Sequence, residues 1–90
     1  MLRITRIEDI PERASFKVEG RLVSVWARLV EQECRQAFQG DRQVVLDLTH
    51  VTFADEGGIQ VLRVLAQDPR IVLLASEFIK QLLGPQRSFP

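Results

Sequence analysis

The residues best placed to do chemistry in this 90-residue chain fall between Val44 and Leu65: Asp47, His50, Asp55, Glu56, Gly57 and Gly58. An aspartate just before a helix accepts hydrogen bonds from the amides of the first turn, here Gly57 or Gly58, and its charge suits the positive helix end. Glu56 beside it reads as a second helix-start anion. Two glycines in a first helical turn are unfavourable, each by about 1 kcal/mol relative to alanine. They need a reason, either close packing of the helix on its strand, which we expect, or exposed backbone that a partner approaches.

Other chemistry finds little material. Asp47 and Asp55 would make a magnesium-centred phosphoacceptor site only with an acidic cluster, a later hydroxyl and a strand-end lysine. The sequence does not supply that set, so Asp47 is expected to accept hydrogen bonds from the turn after it. His50 reads as a partly exposed turn residue, because no activatable nucleophile lies nearby in the sequence. Thr49 and Thr52 are expected to make turn hydrogen bonds, and Ser24 and Ser76 to cap helices. Cys34, the single cysteine, falls on an apolar helix face where a thiol is inert. Gly57–Gly58 lacks the surroundings of a phosphate loop. We therefore expect no catalytic residues, no metal and no cofactor.

These residues must be positioned by an alternating set of elements. Leu2–Ile7 alternates as a strand, Glu8–Glu12 reads as a turn around Pro11, and Ala14, Phe16 and Val18 mark a second strand stopped by Gly20. From Ser24 the apolar period lengthens: Trp26, Leu29, Val30, Cys34, Ala37 and Phe38 share one helix face, and Trp26 reads as core. Glu31 can pair with Arg35 one turn on, and Gly40–Asp41 is expected to end this helix. Val44–Leu48 is a nearly continuous apolar run, the pattern of a strand covered on both faces. The link Thr49–Ala54 leads to a second helix, Ile59–Gln67, closed by Asp68–Pro69. Ile71–Leu74 is a further buried strand, and Ser76 opens a third helix with Phe78, Ile79, Leu82 and Leu83 on its apolar side, stopped by Gly84–Pro85. The expectation is an α/β fold: a mixed central sheet of about four strands with about three helices packed against it, in one domain over residues 1–84 with a tail at 85–90.

Composition narrows the function. Twelve basic and twelve acidic residues leave no net charge at pH 7, which argues against nucleic acid or an anionic membrane as partner. No apolar run approaches the ~18 residues that span a bilayer. The start Met1–Ile4 lacks a signal-peptide core, and a lone thiol suits a reducing compartment, so a cytoplasmic location is expected. On the second helix Gln60, Arg63 and Gln67 form a narrow polar arc, while Val61, Leu62, Val64, Leu65 and Ala66 extend the apolar side to roughly 220°. That is about twice what packing on one sheet face needs. Val61 and Val64 are the surplus, covered either by the third helix or by a partner.

The sequence resembles the STAS domain family, the module of anti-sigma factor antagonists and of the cytoplasmic tails of sulphate transporters. Asp47–Leu48 matches the family's strand end, Phe53 its apolar link, and Asp55, Gly58 and Ile59 its helix opening. The order of elements fits from Leu2 to about Leu83. The resemblance implies a non-enzymatic module that binds a protein partner through the Asp55–Gly58 loop (Asp55, Glu56, Gly57, Gly58) and the following helix, with Val61 and Val64 on it.

The departures are as informative. The resemblance places a phosphorylatable serine where this chain has Gly57, so the usual phospho-switch cannot operate there. Glu56 stands one position earlier, either as a fixed negative charge that sets a binding state or as a simple helix-start anion. The chain also ends soon after the third helix, where typical members continue with a strand and a helix, so either this is a minimal version or a partner completes the sheet. The implied partner is an anti-sigma kinase-like protein, with constitutive or differently regulated binding. The alternative is an accessory subunit docking on an ABC transporter ATPase. An unpaired sheet edge leaves homodimerisation open.

Overall fold

The computed structural model describes residues 1–38, 42–86 and 89. Its elements run β1 (Leu2–Ile10), β2 (Arg13–Leu22), α1 (Ser24–Ala37), β3 (Gln43–Ala54), α2 (Glu56–Ala66), β4 (Ile71–Leu74) and α3 (Glu77–Leu83). The four strands form one mixed sheet in the order β1-β2-β3-β4. β1 and β2 are an antiparallel hairpin, while β2–β3 and β3–β4 are parallel pairs whose crossovers are α1 and α2.

Burial follows the strand period. Phe16 and Val18 on β2, Val44, Leu46 and Leu48 on β3, and Ile71 and Leu73 on β4 are all buried, and their neighbours point the other way. The helices cover that face with Ala27, Val30, Cys34 and Ala37 from α1, Leu62, Leu65 and Ala66 from α2, and Ile79 and Leu83 from α3. α3 lies against α2, where Arg63 donates to the Leu82 carbonyl at 3.3 Å. Glu31 and Arg35 pair at 2.8 Å, as their spacing implies. Ser76 caps α3 by accepting from the Ile79 amide, and Gly84 ends it at φ 73°, a conformation that disfavours a side chain.

Several boundaries differ from the sequence expectation. β1 runs on to Ile10, so the hairpin turn is only Pro11–Glu12. A bulge between Arg6 and Glu8 resets the alternation there, which is why the second half of β1 read as a turn. β2 continues through Gly20, whose φ of 98° kinks the strand without ending it. β3 continues through Thr49–Ala54, since the link predicted there pairs with Glu19–Leu22 of β2. Val45 and Asp47 are only half-buried, so β3 is fully covered on one face and not on both. The expected α1 end at Gly40–Asp41 lies outside the described residues.

Two helix faces also differ. Trp26 is 42% exposed and Leu29 43% exposed, so the core stripe of α1 runs through Ala27 instead, with Trp26 on its flank. On α3, Phe78 and Leu82 are likewise exposed. In each case apolar periodicity marked a stripe wider than the sheet beneath can cover.

These positions have measurable consequences. Phe16→Ala should cost about 3–5 kcal/mol of stability, and Trp26→Ala roughly 1 kcal/mol or less. Urea unfolding followed by circular dichroism checks both, and a Trp26 variant as damaging as the Phe16 variant would contradict the placement of the indole.

Candidate functional site

The parallel pairing of β2 and β3 decides what meets at the candidate site. Leu22 and Ala54 are register partners at the ends of the two strands, so the chain turns into α1 and α2 side by side. The Asp55 amide donates to the Leu22 carbonyl at 3.2 Å and fixes that junction. Both helix N-termini therefore open at the same end of the sheet, with Asp55 between them.

One carboxylate serves both helices. Asp55 Oδ1 accepts from the Gly58 amide at 2.7 Å, the expected cap of α2. Asp55 Oδ2 accepts from the Ser24 amide at 3.1 Å and from the Ser24 hydroxyl at 3.0 Å. Ser24 is thus not the cap of α1. Val23 holds the N-cap position without a side-chain bond, and Ser24, the first helical residue, takes its acceptor from the other helix. The Gly58 amide first, and then the Ser24 amide and hydroxyl, hold the Asp55 carboxyl below its ordinary value.

This junction accounts for both glycines. A Cβ on Gly58 would collide with the Leu22 carbonyl, and one on Gly57 with the Ser24 side chain. Of the two reasons open from the sequence, close packing is the one observed. The space a side chain at position 57 would fill is occupied by the Ser24 hydroxyl.

The remaining candidates fall around this end of the sheet. Glu56 is exposed in the first turn of α2. Along that helix Val64 is 41% exposed, while Val61 is half-buried against the core, so the apolar surplus narrows to Val64 with a partial contribution from Val61. Phe53, at the end of β3, is 39% exposed beneath the Arg21 guanidinium, 4.4 Å from the ring centroid. Arg21 and Phe53 are cross-strand partners, so this stack also follows from the parallel register.

The other polar residues have assigned contacts. Asp47 accepts from the Thr49 amide at 3.0 Å and hydroxyl at 2.6 Å. Partial burial opposes ionisation of Asp47, but those bonds prevail and hold its carboxyl below the ordinary value. His50 is exposed on a strand and not in a turn, and a hydroxyl does lie near it: Thr49 Oγ1 is 3.2 Å from Nδ1. That hydroxyl already gives its proton to Asp47, so His50 meets a lone pair and not a nucleophile to activate. Thr52 donates to the Gly20 carbonyl at 3.2 Å. Burial pushes the Cys34 thiol up to about 12, far from a reactive thiolate. Among the described residues no group of three or more His, Cys, Asp or Glu side chains could hold a metal. Among the described residues no helix is long and apolar enough to cross a membrane.

The sequence matches the STAS domain over residues 2–71. The chain belongs to the STAS domain family. Among curated proteins none matches it. Among solved structures it is similar to the unphosphorylated form of the anti-sigma factor antagonist SpoIIAA, with a TM-score of 0.64 at 16% identity, covering 100% of this chain and 87% of that one. It is also similar to an uncharacterised DUF3478-family protein of SpoIIAA-like fold from Shewanella loihica PV-4, with a TM-score of 0.56 at 10% identity, covering 99% and 85%. At these identities the two structures establish the fold. Within this STAS domain the helix-opening loop carries Asp55 and Gly58, with Gly57 between Glu56 and Gly58 and no hydroxyl of its own.

The junction generates two expectations. Gly57→Ser should destabilise the protein by roughly 1–3 kcal/mol through overpacking, and Ser24→Gly in the same chain should recover most of that loss. Additive effects in the double variant, read by denaturant unfolding, would contradict the shared space. A carboxyl held below its ordinary value stabilises the fold above the unfolded value, near 3.8, and that contribution is lost as pH falls through the lower folded value. Stability should therefore decline on acidification below about pH 4, and less steeply in Asp55→Asn, which has no carboxylate to protonate at that position. An unchanged acid slope in that variant would contradict the role given to the carboxylate.

Proposed function

We propose that this chain is a non-enzymatic regulatory module that binds a protein partner through the Asp55–Gly58 loop and the helix that follows it. The observation that carries the reading is the loop itself. A helix opening held in place by Asp55 presents the exposed Glu56 and is followed along α2 by the exposed Val64. Gly57 gives this module no hydroxyl in its loop, so its binding is either constitutive or regulated elsewhere on the surface. Membership of the STAS family and likeness to an anti-sigma factor antagonist support a partner of anti-sigma kinase type. The partly exposed valines supply apolar contact area and Glu56 an electrostatic marker for the partner to read.

The test is affinity capture from lysate of the source cells, with wild type beside a Val61→Asp, Val64→Asp double variant confirmed as folded. A kinase-like protein retained by wild type and lost by the variant is the expected result. Capture of an ABC transporter ATPase with the same loss would reassign the module to a transporter. Identical capture by both proteins would remove α2 from the binding surface.

A further inference from the structure

We propose that this chain forms a two-fold dimer in which the first half of β1 pairs with β1 of a second copy, joining the two sheets beneath Trp26 and Leu29 of α1. Helix and strand point to it independently. On α1, Trp26, Leu29 and Glu33 form one row at three- and four-residue spacing. Ser24, on the other side of the helix, meets Gly57 of α2, whereas Glu33 reaches Arg6 of β1 at 3.9 Å. The row therefore lies on the β1 side, where β1 is the outermost strand, and Trp26 and Leu29 remain exposed. A strand added beside β1, about 4.8 Å further out, would lie beneath them.

The edge is guarded along only half its length. From Arg6 onwards a bulge and the charges of Glu8 and Asp9 oppose the approach of another strand. The stretch Leu2–Thr5 carries only the charge of Arg3. Ile4 lies opposite the buried Val18 and shares with Leu2 the face that the helices cover. The occupant follows from the symmetry of this stretch. A two-fold antiparallel ladder sets one residue opposite itself, and Arg3 or Arg6 at the centre would oppose like charges. Thr5 at the centre would run the ladder into the bulge, and Leu2 would confine it to residues 1–3. Ile4 remains. With Ile4 against Ile4 of the second copy, Arg3 meets Thr5, and Leu2 meets Arg6, whose methylene stem covers it. Leu2, Ile4, Trp26 and Leu29 of both copies then share one apolar layer.

Dimerisation at β1 is independent of the α2 reading. α2 lies over β3 and β4, away from this edge, so a dimer would present that helix twice. The experiment follows the full chain by analytical ultracentrifugation up to about 1 mM, with the emission of Trp26, the single tryptophan, read over the same dilution. The expected result is a monomer–dimer equilibrium in which Trp26 emission moves to longer wavelength as the dimer dissociates. Leu29→Lys, at an exposed position, should weaken association by at least about tenfold. Ile4→Lys and Ile4→Glu, each confirmed as folded by circular dichroism, should be monomeric alone and regain the dimer when mixed, because opposite charges then meet on the two-fold. Should either Ile4 variant fail to fold, Leu29→Lys and the emission decide. A monomer at every concentration would overturn the proposal. So would a dimer indifferent to Leu29→Lys whose dissociation leaves Trp26 emission unchanged, since its contact would lie elsewhere.

Discussion

The Asp55 carboxylate is the interaction on which the geometry at the paired helix starts depends. Each of its oxygens serves a different helix, Oδ1 the start of α2 and Oδ2 the start of α1. Helix N-termini carry unsatisfied amides and a partial positive charge, and here two of them open side by side at the end of one sheet. A single anion between them satisfies donors from both and offsets the adverse approach of two positive helix ends. The parallel register of β2 and β3 brings the ends together, and the carboxylate makes their closeness favourable.

Much of the local sequence follows from that arrangement. The start of α2 lies so close to Ser24 of α1 and to the Leu22 carbonyl at the end of β2 that there is no room for side chains at Gly57 and Gly58, and the packing gained offsets the poor helix propensity of both residues. The junction's hydroxyl comes from Ser24 of α1 and fills the space beside Gly57. The loop is therefore stiff while Glu56, Val25 and the Arg21–Phe53 stack remain accessible around it. Preorganisation of this kind lowers the ordering cost of association and suits the binding role proposed for this surface.

What could be read from the sequence, and what could not, divides along the range of the interaction. The order of elements, the β4 and α3 spans, the Ser76 and Asp55 caps and the Glu31–Arg35 pair are local patterns over a few residues, and all are present. Asp55's second partner is 31 residues away, so the hydroxyl of Ser24 looked like an ordinary cap. The clue was available: if β2 and β3 are parallel neighbours, the residues just beyond their ends must meet. Trp26 misled because apolar spacing shows which helix face is hydrophobic and not how far the sheet extends beneath it. Thr49–Ala54 misled because its polar residues face solvent on an exposed strand end, where β pairing, and not burial, sets the conformation.

The most direct test of the shared carboxylate is amide hydrogen exchange at Ser24 and Gly58 in wild type and in Asp55→Ala, which removes both acceptors. If one side chain holds both helix starts, the two amides, on different helices, must lose protection together, while the Ile79 amide capped by Ser76 stays unchanged. Faster exchange at Gly58 alone would mean that Asp55 is merely the cap of α2, and that the junction between the helices is held by something else.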